Sequence, residues 1–119
     1  RGIMLYTEIL NDNKIFLRLY KKGKCIVSRE MVIYIRKNRL PYNRLGITAG
    51  KKIGNAVKRN RAKRVIRQAY RENEIAMPVG IDIVIVARVP ATVEKSTVIS
   101  NCLLRKAFPS IQAYLTEDN

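Results

Sequence analysis

The chain has 119 residues, with 24 Lys and Arg against 9 Asp and Glu, no His, and a net charge of +15. A chain of this length buries one core without staples, and 47% hydrophobic content fits a packed fold rather than a disordered basic tail. The surplus charge requires a polyanionic partner, because self-repulsion of this size gains an isolated domain nothing.

Two cysteines, Cys25 and Cys102, form no CxxC pair and sit among apolar neighbours, which predicts buried free thiols in a reducing cytosol. With no His and no paired Cys, a zinc site is not expected. No apolar run approaches the roughly 20 residues that span a bilayer. Arg1-Gly2-Ile3-Met4 carries no signal-peptide core, so a cytoplasmic location is expected.

In chain order, Asn11-Asp12 offers a cap for a short helix from Lys14 to Tyr20 that stops at Gly23. Phe16 and Tyr20, four apart, share a face of it. Cys25–Val27 and Met31–Ile35 read as strands, the second apolar on both faces, with Val32 and Tyr34 projecting one way and Met31, Ile33 and Ile35 the other. Leu45–Ala49 is a third strand. Asn55 caps a long helix to about Glu72, Ile81–Ala87 is a fourth strand, and Thr92 opens a helical region that Pro109 kinks or ends. The order αβββαβα predicts one α+β domain over residues 1–119, a two-layer sandwich of three helices packed mainly on one side of a small four-stranded sheet.

The stretch from Met31 to Arg71 contains no acid, and residues 50–71 alone hold nine bases. Arg36, Lys37, Arg39 and Arg44 add to them. At about 100° per residue, Ala62, Val65, Ile66 and Ala69 form a core face. Arg59, Lys63, Arg64, Arg67 and Arg71 fall on the other side, with Lys58 and Arg61 at the flanks. A P-loop is excluded because the glycine spacing is one residue short and no Ser or Thr follows the lysine. A membrane-surface helix would need bulky apolar anchors, and the nonpolar face here is Ala, Val, Ile and Ala. Arginine forks match phosphate oxygens and base edges, so nucleic acid is the partner class. Composition does not separate RNA from DNA.

The run from Lys51 to Tyr70, KKIGNAVKRNRAKRVIRQAY, closely resembles the RNR signature of the bacterial ribonuclease P protein component. The resemblance extends to Phe16–Gly23 as the family's first helix, Leu45-Gly46-Ile47 as its third strand and Asp82–Arg88 as its fourth. It departs at Cys25 and Gly50, where the family often has Ser.

The resemblance implies a mixed sheet with a left-handed βαβ crossover through the basic helix. It also implies that the chain is the protein subunit of a ribonucleoprotein whose catalytic RNA uses Mg²⁺, held mainly by that RNA, to remove the 5′ leader of precursor tRNA. Lys51, Lys52, Asn55, Lys58, Arg59, Asn60, Arg61, Lys63, Arg64 and Arg67 would then contact the catalytic RNA or the substrate. Phe16, Tyr20, Val32 and Tyr34 would form the leader cleft, although Phe16 and Tyr20 equally suit the core face of an amphipathic helix. No catalytic residue, protein-held metal or organic cofactor is implied, and no obligate protein partner. The sequence agrees, having no cluster suited to paired acid–base or two-metal work. The remaining readings are a purely structural RNA-binding protein, such as a small ribosomal protein, and an autonomous nuclease.

Overall fold

A computed structural model describes residues 4–117, so the reading of Arg1, Gly2 and Ile3 lies outside it. Strand β1 (Thr7–Ile9) leads into helix α1 (Asn13–Lys22), then strands β2 (Lys24–Val27), β3 (Met31–Lys37) and β4 (Asn43–Thr48). Helix α2 (Ala56–Glu72) precedes β5 (Ile81–Ala87). Helices α3 (Ser96–Cys102) and α4 (Phe108–Thr116) close the chain. The sheet runs β1-β4-β5-β3-β2, with β4 parallel to both β1 and β5, and β3 antiparallel to β5 and β2.

The mixed α+β sandwich is as expected, but the sheet has five strands rather than four. Three residues are too short to show a periodicity, and β1 exists because tertiary contacts hold it. Glu74, 3% exposed, accepts the backbone N–H groups of Leu5 and Tyr6 at 2.7 Å each and the Thr7 hydroxyl at 2.6 Å. Since the Thr7 proton goes to Glu74, the Tyr70 hydroxyl donates to Thr7 Oγ1 at 2.9 Å. A buried carboxylate at the end of α2 thus clamps the segment that pairs with β4, where Asn43 N–H donates to the Tyr6 carbonyl.

As expected, the helices pack mainly on one face of the sheet, α2, α3 and α4 sharing it, while α1 covers the other. Ile33, Ile35, Ile83, Ile85 and Leu45 point to a core completed by Ala62, Ile66, Ala69 and Tyr70 of α2 and by Ile99, Leu103 and Ile111 of the C-terminal helices. The alternate residues Tyr34, Val84 and Val86 point the other way and pack with Leu19, Ile15 and Phe16 of α1 and with Leu10. This explains why β3 is apolar on both faces.

Helix α1 begins as predicted, with Asp12 Oδ1 accepting the Lys14 N–H at 2.9 Å, and ends where Gly23 N–H returns to the Leu19 carbonyl at 2.8 Å. Thr92 does not open the third helix. It ends a 3₁₀ turn, Val89–Thr92, and α3 starts at Ser96. Pro109 neither ends nor breaks the last helix. Its missing N–H and bulky ring are accommodated by a five-residue π segment, Leu103–Ala107, and the chain stays helical to Thr116.

The thiols differ from expectation. Cys25 is exposed on β2 and Cys102 only half-buried, because the alternation of β2 turns Ile26, not Cys25, into the core. Both are free, and burial pushes the Cys102 thiol pKa up. No helix among the described residues is long and apolar enough to cross a membrane.

Candidate nucleic-acid interface

The basic segment is anchored before it becomes helical. Lys51–Ile53 form a 3₁₀ turn whose Ile53 is buried, which leaves Lys51 and Lys52 on the surface. Gly54 follows with φ of 137°, a conformation side chains rarely adopt, and aims the chain into α2. Asn55 Oδ1 then accepts the Lys58 N–H at 3.0 Å, capping the helix as predicted. Ala62 and Ala69, both fully buried, let the helix approach the sheet closely, with Ile66 and Tyr70 filling the space beside them. Val65, expected in the core, is half-buried at its margin.

Lys51, Lys52, Asn55, Lys58, Asn60 and Arg64 are exposed. Arg59, Lys63 and Arg67, spaced by four, run half-buried down one flank instead of standing on the outer face, and Arg61 is half-buried on the other flank. Arg61 donates to the Glu94 carbonyl at 3.4 Å. Among the described residues, no carboxylate lies within 4.0 Å of any of these cations. Arg44 is different. Its Nε and Nη2 grip the two oxygens of Asp82 at 2.7 and 2.8 Å, and this hydrogen-bonded pair raises the guanidinium pKa further. Arg44 therefore leaves the free basic surface that the acid-free window suggested.

The four expected cleft residues come together. Phe16 and Tyr20 meet edge to face with centroids 6.5 Å apart, and Tyr20 meets Tyr34 likewise at 5.0 Å. Tyr34 and Val32 share the sheet face that α1 covers only in part. Val32 pairs with Val27 on one side and Val86 on the other, giving an apolar floor of which Val27 remains 51% exposed. Burial, then the neighbouring Cys25, raises the Tyr34 hydroxyl pKa. Phe16 and Tyr34 pack against Leu19 and Val84 yet are only half-buried, and Tyr20 is 39% exposed. These rings are at once the lid of a small second core and a half-exposed aromatic surface beside the apolar strip of Val27 and Val32.

Two residues organise this junction: Gly46, expected from the sequence only as part of a strand, and Arg67, expected only as an RNA contact. Gly46 is buried under the Phe16 ring: a Cβ there would stand 2.6 Å from Phe16 Cζ and 3.1 Å from the Leu10 carbonyl. Arg67 reaches the same place from α2. With Phe16, Leu10, Leu45, Gly46 and Ile47 it lines a cavity of about 190 Å³ beside β4, beyond the end of β1. The α2 cation stripe and the aromatic wall are therefore neighbours across one sheet edge.

Among the described residues, no group of three or more His, Cys, Asp or Glu could hold a metal ion. The donor set of the basic segment is cationic and amide, which does not fit a protein-held Mg²⁺.

The family model described as Ribonuclease P matches residues 4–111. The ribonuclease P protein component of Lachnoclostridium phytofermentans is 42% identical over 101 residues, covering 85% of this chain and 87% of that one. The component from Thermotoga maritima is 41% identical over 81 residues, covering 68% and 69%. The Staphylococcus aureus RNase P protein structure superposes with a TM-score of 0.73 at 35% identity, covering 87% of this chain and 94% of that one. The Thermotoga maritima protein structure gives 0.63 at 33% identity, with 91% of each covered. The family model and these relatives thus match the chain along most of its length, across the strands and helices that carry the cationic α2 and the half-exposed aromatic residues, and the chain belongs to the ribonuclease P protein component family.

Proposed function

We propose that the chain is the non-catalytic subunit of a cytoplasmic ribonucleoprotein, in which it holds precursor tRNA against a catalytic RNA. The α2 cations take phosphates of the catalytic RNA or of substrate near the scissile bond, and the Phe16–Tyr20–Tyr34 cleft takes the single-stranded 5′ leader. The observation that carries this reading is the half-exposed aromatic run beside an unpaired basic helix. Stacking of bases on such rings contributes about 1–3 kcal/mol each without demanding a sequence. Mg²⁺ in this scheme belongs to RNA phosphates, since the cations and amides of the basic segment do not suit it. No observation favours the purely structural RNA-binding alternative.

Single-turnover leader cleavage by a ribonuclease P RNA, alone and with the protein, is the test. The protein is expected to lower the Mg²⁺ needed and to make precursor tRNA bind the assembled particle more tightly than mature tRNA. Equal affinity for the two RNAs would remove the leader-cleft assignment. Cleavage by the protein without RNA would remove the non-catalytic one.

A further inference from the structure

Helix α1 has a second flank. Phe16 and Tyr20 face the aromatic cleft, while Lys14, Arg18, Lys21 and Lys22 lie away from it. With Arg36 of β3 these four line a shallow groove of about 440 Å³ in which Leu17 is the one apolar side chain. Among the described residues, none of the five cations has a carboxylate within 4.0 Å. Arg36 sits directly across from Asp82 in the β3–β5 pairing, yet Asp82 spends both oxygens on Arg44 and Asn38. The acid that the strand register places opposite Arg36 is already consumed, and Asp12 at the start of α1 is held by the Lys14 N–H.

A plain account explains part of this cluster. The negative end of the α1 dipole favours Lys21 and Lys22 in the last turn. It does not favour Lys14 in the first turn, which holds no acid, and the like-charged i,i+4 pairs Lys14–Arg18 and Arg18–Lys22 each cost a few tenths of a kcal/mol in a free helix. Phosphates bound in the groove reverse that sign. No aromatic side chain lines it, so it offers bases nothing to stack on, unlike the cleft on the other flank. Charge without stacking suits a partner whose bases are already paired and whose phosphates and sugars are all it presents.

We propose that the outer flank of α1 is a second RNA-binding surface, one that grips the backbone of double-helical RNA. Because α1 and α2 cover opposite faces of the sheet, this groove and the α2 cations reach separate RNA segments, and the protein bridges them. The proposal does not rest on the leader-cleft reading, since the cleft lies on the other flank of α1 and takes unpaired RNA.

The test is lysine-acetylation footprinting of the full chain with a saturating blunt RNA duplex of about 16 base pairs, the span a duplex-binding domain covers. Lys14, Lys21 and Lys22 are expected to label several-fold more slowly, while Lys106, exposed on the C-terminal helix, labels at its free rate. An Arg18→Gln/Lys22→Gln variant changes two exposed side chains, so its melting temperature should hold. Its log affinity for the duplex should depend less steeply on log salt, by about 0.9 for each phosphate that the variant no longer neutralises. Its affinity for a single-stranded leader oligonucleotide should be unchanged. Labelling of the α1 lysines at the free rate would overturn the proposal, as would equal losses on duplex and single strand, or protection by anionic lipid vesicles but not by duplex. Failure of the leader oligonucleotide to bind the unaltered chain would count against the cleft alone.

Discussion

Gly46 and Phe16 show how one missing Cβ shapes a binding surface. The ring lies where a side chain at position 46 would stand, so the glycine sets how deeply Phe16 seats and where its open edge points. Gly46→Ala should cost about 1–3 kcal/mol of stability, the usual range for overpacking. It should weaken single-stranded leader binding while leaving binding through α2 intact; denaturant titration and paired affinity measurements check both. Tyr70 is the second informative residue. Burial raises its pKa above the ordinary 10.0, and the neighbouring Glu74 charge adds to that rise. A raised folded-state value means this contribution is complete below pH 10.0 and is lost as pH rises through the folded pKa. Stability measured across that alkaline range should fall less steeply in Tyr70→Phe than in the unaltered chain.

At the scale of elements, α2 owes its start to Gly54 and Asn55 and its position to Ala62 and Ala69. The N–H groups at its first turn are flanked by cations rather than acids, so the dipole gains nothing there and the Asn55 cap on the Lys58 N–H matters more. Asn55→Ala should cost about 0.5–2 kcal/mol and loosen the register of Lys51 and Lys52; thermal melts and a salt titration of RNA affinity measure the two effects. The C-terminal helix shows the opposite economy, with one π segment absorbing Pro109 so that Ile99, Leu103 and Ile111 all reach the core.

Across the whole molecule, +15 charges share a body of 41 × 27 × 25 Å. At about 0.01 M salt the screening length is roughly 30 Å, longer than two of those dimensions, whereas at about 0.15 M it is roughly 8 Å. The free protein's melting temperature should therefore rise over that salt interval, and bound RNA at low salt should produce the same rise. A flat response by calorimetry would mean that the cations are already compensated within the fold.

The sequence by itself determined the helix boundaries at Asp12, Gly23, Asn55 and Glu72, the core face of α2 and the need for a polyanion. These follow from side-chain periodicity and capping chemistry, which are local. Only the tertiary structure decided that Thr7–Ile9 is a strand, because Glu74 reaches it across 67 residues. It also decided that Arg44 is neutralised while Arg36 is not, since one carboxylate serves whichever cation the strand register brings to it. The same holds for the cleft. Four-residue spacing predicts that Phe16 and Tyr20 share a face, but their half-exposure arises because α1 is too short to cover a sheet face that Val27 and Val32 extend beyond it.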